Sequence, residues 1–236
     1  RSEFYEFNLN TGYGFEINNN FNTSFSISWK NAEIDLTGLS YNSYNLKFGI
    51  ERGYLSENLT APFLYSNWNI TFGYRKYDSN PENQNIAFNE TRVNIENQFN
   101  FNLFSKVYSI VKIRYYGLET NESLPPLSEK YFIGGNNYLR GYRNDQFAVI
   151  RTAILNFEPS LQYSSIKAFL FYDFAFLNDR LNNQAQQIET KDSFKSGYGL
   201  GVQLFDSEKD IKISVGWNQD ISFNQARLIL DFSSEI

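Results

Sequence analysis

The sequence predicts an all-β fold, a membrane-spanning antiparallel β-barrel of about 12 strands, and three observations carry that prediction. Apolar and polar residues alternate with period two in run after run, as in strands with one apolar face. Several runs, beginning with Phe4–Ile17, exceed the roughly 5–6 residues of a typical soluble strand and reach the about 9–11 that a tilted membrane strand needs. Aromatic residues make up 18 % of the chain, with 17 Tyr, 23 Phe and 3 Trp. On the apolar face they gather near the ends of runs, as in the interfacial girdles of a membrane barrel. A soluble β-sandwich also alternates, but it needs neither such long runs nor such girdles.

Composition is compatible with this fold. The chain has 236 residues, enough for a single barrel domain over 1–236. Hydrophobic residues are 42 % and the mean hydropathy is -0.47, a soluble-looking value. A barrel's polar lumen hides its lipid face from any such average, and no run approaches the roughly 20 apolar residues of a spanning helix. Cysteine and histidine are absent, which removes disulfides, thiol chemistry and the commonest general base and metal ligand. Neither a metal site nor a cofactor is expected. A net charge of -5 without a basic patch speaks against nucleic acid as a partner. Methionine is missing even at position 1, and no signal peptide is visible. The chain is therefore expected to be a processed or excised part of a longer one, with periplasmic or passenger domains upstream.

Taken in order, the first strand sets Tyr5, Phe7, Leu9, Tyr13, Phe15 and Ile17 against Glu6, Asn8, Asn10, Gly12, Gly14 and Glu16. Asn18–Asn20 has turn composition, and the next run places Phe21, Phe25, Ile27 and Trp29 opposite Asn22, Ser24, Ser26 and Ser28. Residues 32–39, AEIDLTGL, read as a weak further strand. Tyr44–Glu51, Trp68–Arg75, Arg92–Leu103 and Val107–Tyr115 continue the alternation. A long irregular stretch occupies 119–146, and five more runs follow: 153–161, 168–176, 197–204, 211–217 and 228–232. Bacterial barrels have even strand numbers, short periplasmic turns and long outer loops. With the N-terminus in the periplasm and 119–146 outside, an odd number of strands precedes the loop. Counting 32–39 gives seven before it and five after, hence 12.

The segment 130–147 reads KYFIGGNNYLRGYRNDQF. It resembles the signature of the BamA–TamA–FhaC superfamily (bacterial surface antigen) of outer-membrane barrels, in which a Gly-Gly pair precedes a [VL]RG[FY] tetrad on the sixth outer loop. Here the pair is Gly134-Gly135 and the tetrad Leu139-Arg140-Gly141-Tyr142, with five strands following as in that family. AILNFEPSL at 153–161 resembles its strand with an inward Glu. FLFYDFAF at 169–176 resembles its F-x-D-x-G strand with Ala175 in place of Gly, and SGYGLGVQL at 196–204 its glycine-rich strand. Leu228, Leu230, Phe232 and Ile236 resemble the C-terminal insertion signal of outer-membrane proteins, whose usual last residue is Phe. The resemblance covers 130–236; residues 1–129 match only in general strand character.

The resemblance implies a loop folded into the lumen with its Arg on inward carboxylates. The partners it implies for Arg140 are Asp173 first and Glu158 second; strand parity agrees with both, and an Arg fork fixes orientation as well as charge. Two roles stay open for Arg140: a static staple or a part of the working cycle. Other inward charges are Lys47, Glu51, Arg75, Arg92, Glu96, Lys112, Arg114, Lys212, Arg227 and Asp231. A mixed-sign network beneath the loop is the favoured reading of them over a conducting pore.

The family also implies a location, the bacterial outer membrane, crossed many times, with outer-membrane lipids and the outer-membrane assembly machinery as partners. The short chain resembles the barrel of patatin-like phospholipase (type Vd) autotransporters, which implies export or display of an N-terminal passenger in cis. A 16-strand family barrel lacking its first strands is the alternative architecture. A general outer-membrane insertase and a solute diffusion pore are the alternative functions. A homodimer stays open. Catalysis by the barrel is not expected, because no G-x-S-x-G and no histidine is present.

Overall fold

The computed structural model describes residues 4–18, 21–34, 39–53, 63–79, 86–104, 106–182, 187–205 and 209–234. Its strands are β1 (Phe4–Asn18), β2 (Phe21–Ile34), β3 (Leu39–Arg52), β4 (Phe63–Ser79), β5 (Ala87–Phe104) and β6 (Val107–Thr120). Two short strands, β7 (Tyr131–Ile133) and β8 (Phe147–Val149), lie within the long loop. β9 (Arg151–Tyr163), β10 (Ile166–Asn182), β11 (Ile188–Phe205), β12 (Lys209–Asn218) and β13 (Arg227–Ser234) follow. β1–β6 and β9–β13 form one antiparallel sheet of 11 strands, while β7 and β8 pair separately.

β-branched and aromatic residues favour the pleated conformation, and they meet in register on the outer face. Phe25 opposes Phe48 with ring centroids 5.2 Å apart, and Tyr198 stacks on Trp217 at 6.1 Å. β9 turns into β10 through Ser164-Ser165, with Ser164 at φ 52° and Tyr163 opposite Ile166. Exposure alternates along β9 and β10: Leu155, Phe157, Leu170 and Tyr172 are exposed and their sequence neighbours buried. No helix among the described residues is long and apolar enough to cross a membrane; the strands carry the apolar surface.

One expected strand is not a separate element. Ala32–Ile34 complete β2, Leu39 begins β3 opposite Ile34, and residues 35–38 lie outside the described ones. Among the described residues six strands, not seven, therefore precede the long loop, and five follow it. By antiparallel succession β1 and β13 both run away from the loop end of the sheet. Among the described residues they do not pair with each other, and the sheet is not closed.

The largest buried apolar cluster lies on the lumenal face. Ile133, Leu139, Tyr142 and Val149 of the loop region pack on Tyr116, Ile154, Ala175 and Leu177 of the wall. The loop thus supplies half of a small core.

Candidate functional site

Arg140 sits where the loop meets β9 and β10. Its backbone N–H and its Nε donate to Asp173 Oδ2 at 2.9 and 2.8 Å, and Nη2 donates to Asp173 Oδ1 at 2.7 Å. The remaining terminal nitrogen, Nη1, donates to Glu158 Oε2 at 2.5 Å. Lys167 and Lys212 complete the cluster with Nζ 3.0 and 3.4 Å from the Glu158 carboxylate. Arg140 is 5 % exposed, Glu158 6 % and Asp173 0 %. Both carboxylates are therefore paired where water is scarce, which such burial requires.

Local strand geometry explains how one guanidinium reaches both carboxylates. The β9–β10 ladder pairs Phe169 with Ser160 and resumes only at Tyr172 with Phe157. Pro159 has no N–H to give there. Phe171 faces inward across this gap, and the Arg140 guanidinium lies 3.9 Å from its ring centroid. The aromatic face carries the cation between its partners.

The backbone around the motif needs space that only glycine leaves. Gly141 has φ 90°, and a Cβ there would collide with the Trp217 carbonyl of β12. A Cβ at Gly197 of β11 would collide with the Arg140 carbonyl, and one at Gly199 with the Phe171 ring. Asn218 Nδ2 donates to the Gly141 carbonyl at 2.5 Å. Gly134 and Gly135, at φ 135° and 76°, turn the chain against Arg143 and Asn144, conformations other residues rarely adopt. Leu139 is fully buried, and Tyr142 donates its hydroxyl to Asp220 Oδ2 at 3.1 Å. The Lys195 hydrogen bond holds the Asp220 carboxyl below its ordinary value against a small opposing effect of burial. At Arg140, burial disfavours the charge, but the hydrogen bonds and charges of Asp173 and then Glu158 outweigh it.

The structure thus brings Gly134, Gly135, Leu139, Arg140, Gly141 and Tyr142 together with Asp173 and Glu158. Leu228, Leu230 and Phe232 lie elsewhere, exposed on β13; Ile236 is outside the described residues. Phe171, Lys167 and Asn218 escaped the sequence reading, although parity with Asp173 places Phe171 and Lys167 on the inner face. A polar cavity of about 130 Å³, lined among others by Arg114, Asn137, Lys212 and Asp231, remains beside Arg140. That is room for a few waters.

No family model and no curated protein matches the sequence. Solved structures do resemble the fold. CdiB from Acinetobacter baumannii superposes with a TM-score of 0.64 at 14 % identity, covering 96 % of this chain and 41 % of that one. BamA from Haemophilus ducreyi lacking POTRA domains 1-3 gives 0.55 at 10 % identity, covering 96 % and 61 %. The chain therefore spans less than two thirds of either. The likeness is one of fold, carried by the large antiparallel sheet.

Proposed function

We propose that this chain is the translocator and anchor barrel of an outer-membrane protein that secretes or assembles polypeptides, and that it exports or displays its own N-terminal passenger. One observation above all supports the reading: the long loop enters the lumen and Arg140 holds it to Asp173 and Glu158. A lumen occupied by its own loop suits gated passage of a chain better than free diffusion of solutes. The setting is the bacterial outer membrane, with the aromatic outer face against lipid and the alternate apolar residues of β13 as the insertion signal for the assembly machinery. The barrel itself does no chemistry, since it has no histidine and no nucleophile motif; any catalysis belongs to the passenger.

The test is surface display. An epitope-tagged reporter is fused ahead of Arg1 and expressed in a Gram-negative host, and barrel folding is scored separately by electrophoretic heat-shift. External protease should remove the tag from intact cells. A tag that stays protected while the barrel is folded in the outer membrane would overturn the proposal.

A further inference from the structure

A second concentration of buried charge lies on the other arm of the sheet, away from Arg140. Lys30 of β2, Arg75 of β4 and Arg92 of β5 converge on two carboxylates from the first part of the loop, Glu122 and Glu129. Arg75 Nη2 donates to Glu122 Oε2 at 2.7 Å, and the Tyr77 hydroxyl donates to Glu122 Oε1 at 2.7 Å. Arg92 grips Glu129 twice, through its carboxylate and, from Nη1, through its backbone carbonyl at 2.9 Å. Lys30 Nζ lies 3.1 Å from Glu129 Oε1, which also accepts the Tyr41 hydroxyl at 2.5 Å. Arg75 is 0 % exposed and Glu129 4 %.

The wall does not balance itself. Its three cations face two wall carboxylates: Glu90, 3.3 Å from both Arg75 and Arg92, and the partly exposed Glu6 of β1, 3.0 Å from Lys30. Burying the remaining positive charge without a partner would be costly. The two loop carboxylates supply further partners from either side of Pro125-Pro126: Glu122 just before the prolines and Glu129 in the 3-10 turn Leu127–Glu129 directly after them. The wall is shaped for this segment: two arginines, a lysine and two tyrosine hydroxyls all donate toward the places its oxygens occupy. None of these groups belongs to the Arg140 cluster.

We propose that Glu122 and Glu129 form a second anchor, independent of Arg140, which holds residues 121–130 inside the N-terminal half of the lumen. Release of the whole loop then requires both anchors to open. The inference rests on the barrel fold and not on the passenger reading, so a failure of surface display would leave it standing.

The chain has no cysteine, so Leu127→Cys places a unique thiol in the docked segment. Its labelling by a membrane-impermeant maleimide is followed in the folded, membrane-inserted protein. Glu122→Gln/Glu129→Gln should raise the rate by at least about tenfold, as expected when a buried ion pair loses one side. Arg140→Ala should leave the rate within about twofold of the parent, given sites that share no partner. An unchanged rate in the double Gln variant, or an equal rise in Arg140→Ala, would overturn the proposal. Glu129→Gln alone is labelled in parallel, and it decides by the same criterion should the double variant not assemble.

Discussion

Arg140 makes its contacts by shape as much as by charge. Its Nε and Nη2 meet both oxygens of Asp173 while Nη1 reaches Glu158, an arrangement open to a planar guanidinium and closed to an ammonium. Arg140→Ala takes the guanidinium from buried Asp173 and leaves Glu158 to Lys167 and Lys212, and loss of one side of a buried pair costs about 3–5 kcal/mol. Arg140→Lys restores the charge without the fork and should recover only part of this. The check is the temperature at which the folded band is lost in heat-shift electrophoresis, expected in the order wild type, Lys, Ala. Equal midpoints for all three would remove Arg140 from any structural role. The pairing itself was legible through the family resemblance that Gly134-Gly135 and RGY carry, with which the period-two parity of Asp173 and Glu158 agrees. Phe171 was not. Its parity places it inside, but an inward aromatic reads equally well as filler until the gap opposite Pro159 sets it beneath the guanidinium.

Among the elements, alternation located every strand of the large sheet, since a strand with one face in lipid and one in the lumen must alternate. It misread residues 32–39 for the same reason. The alternation of β2 runs through Ile34 and resumes in β3 at Leu39, so the sequence pattern shows no break between the two strands. The loop was opaque beyond its motif: β7, β8 and the 3-10 turn are too short to show a period, and Glu122 and Glu129 gain meaning only from the cations opposite. That acidic arm should respond to pH. Burial pushes the Glu129 carboxyl up, but the charges of Arg92, Lys30 and Arg75 outweigh it and hold it below the ordinary 4.5. Its stabilisation is therefore complete above that value and is lost as pH falls through the lower, folded one. Glu122 has the opposite sign: burial raises its pKa in spite of Arg75 and Tyr77, so it takes up its proton first. The other groups at these carboxylates are Tyr41, which donates its hydroxyl to Glu129, and Glu90, which shares Arg75 and Arg92. The heat-shift midpoint of the wild type should therefore fall more steeply below pH 4.5 than that of Glu129→Gln. Parallel pH profiles would refute the assignment.

For the molecule as a whole, the loop acts as a strut between the two arms of the sheet. It is tied to β2, β4 and β5 by its acidic first part and to β9 and β10 by Arg140. Lys130 adds a tie to Asp179 at 2.7 Å, and Arg180 one to the Glu122 carbonyl at 3.0 Å. A lumen filled this way should conduct poorly, so the wild-type protein in planar bilayers should show no large stable openings. Opening either anchor exposes a different wall. Glu122→Gln/Glu129→Gln leaves Lys30, Arg75 and Arg92 facing Glu90 and Glu6, an excess of one positive charge that draws anions into the passage. Arg140→Ala leaves Asp173 and Glu158 facing Lys167 and Lys212, a wall without excess of either sign. Reversal potentials in a salt gradient should therefore show anion selectivity for the first variant and little selectivity for the second. Large stable openings in the wild type would favour the diffusion pore over the translocator. Cation selectivity in the double Gln variant would mean that the basic wall stays covered and that the strut is held by something other than its carboxylates.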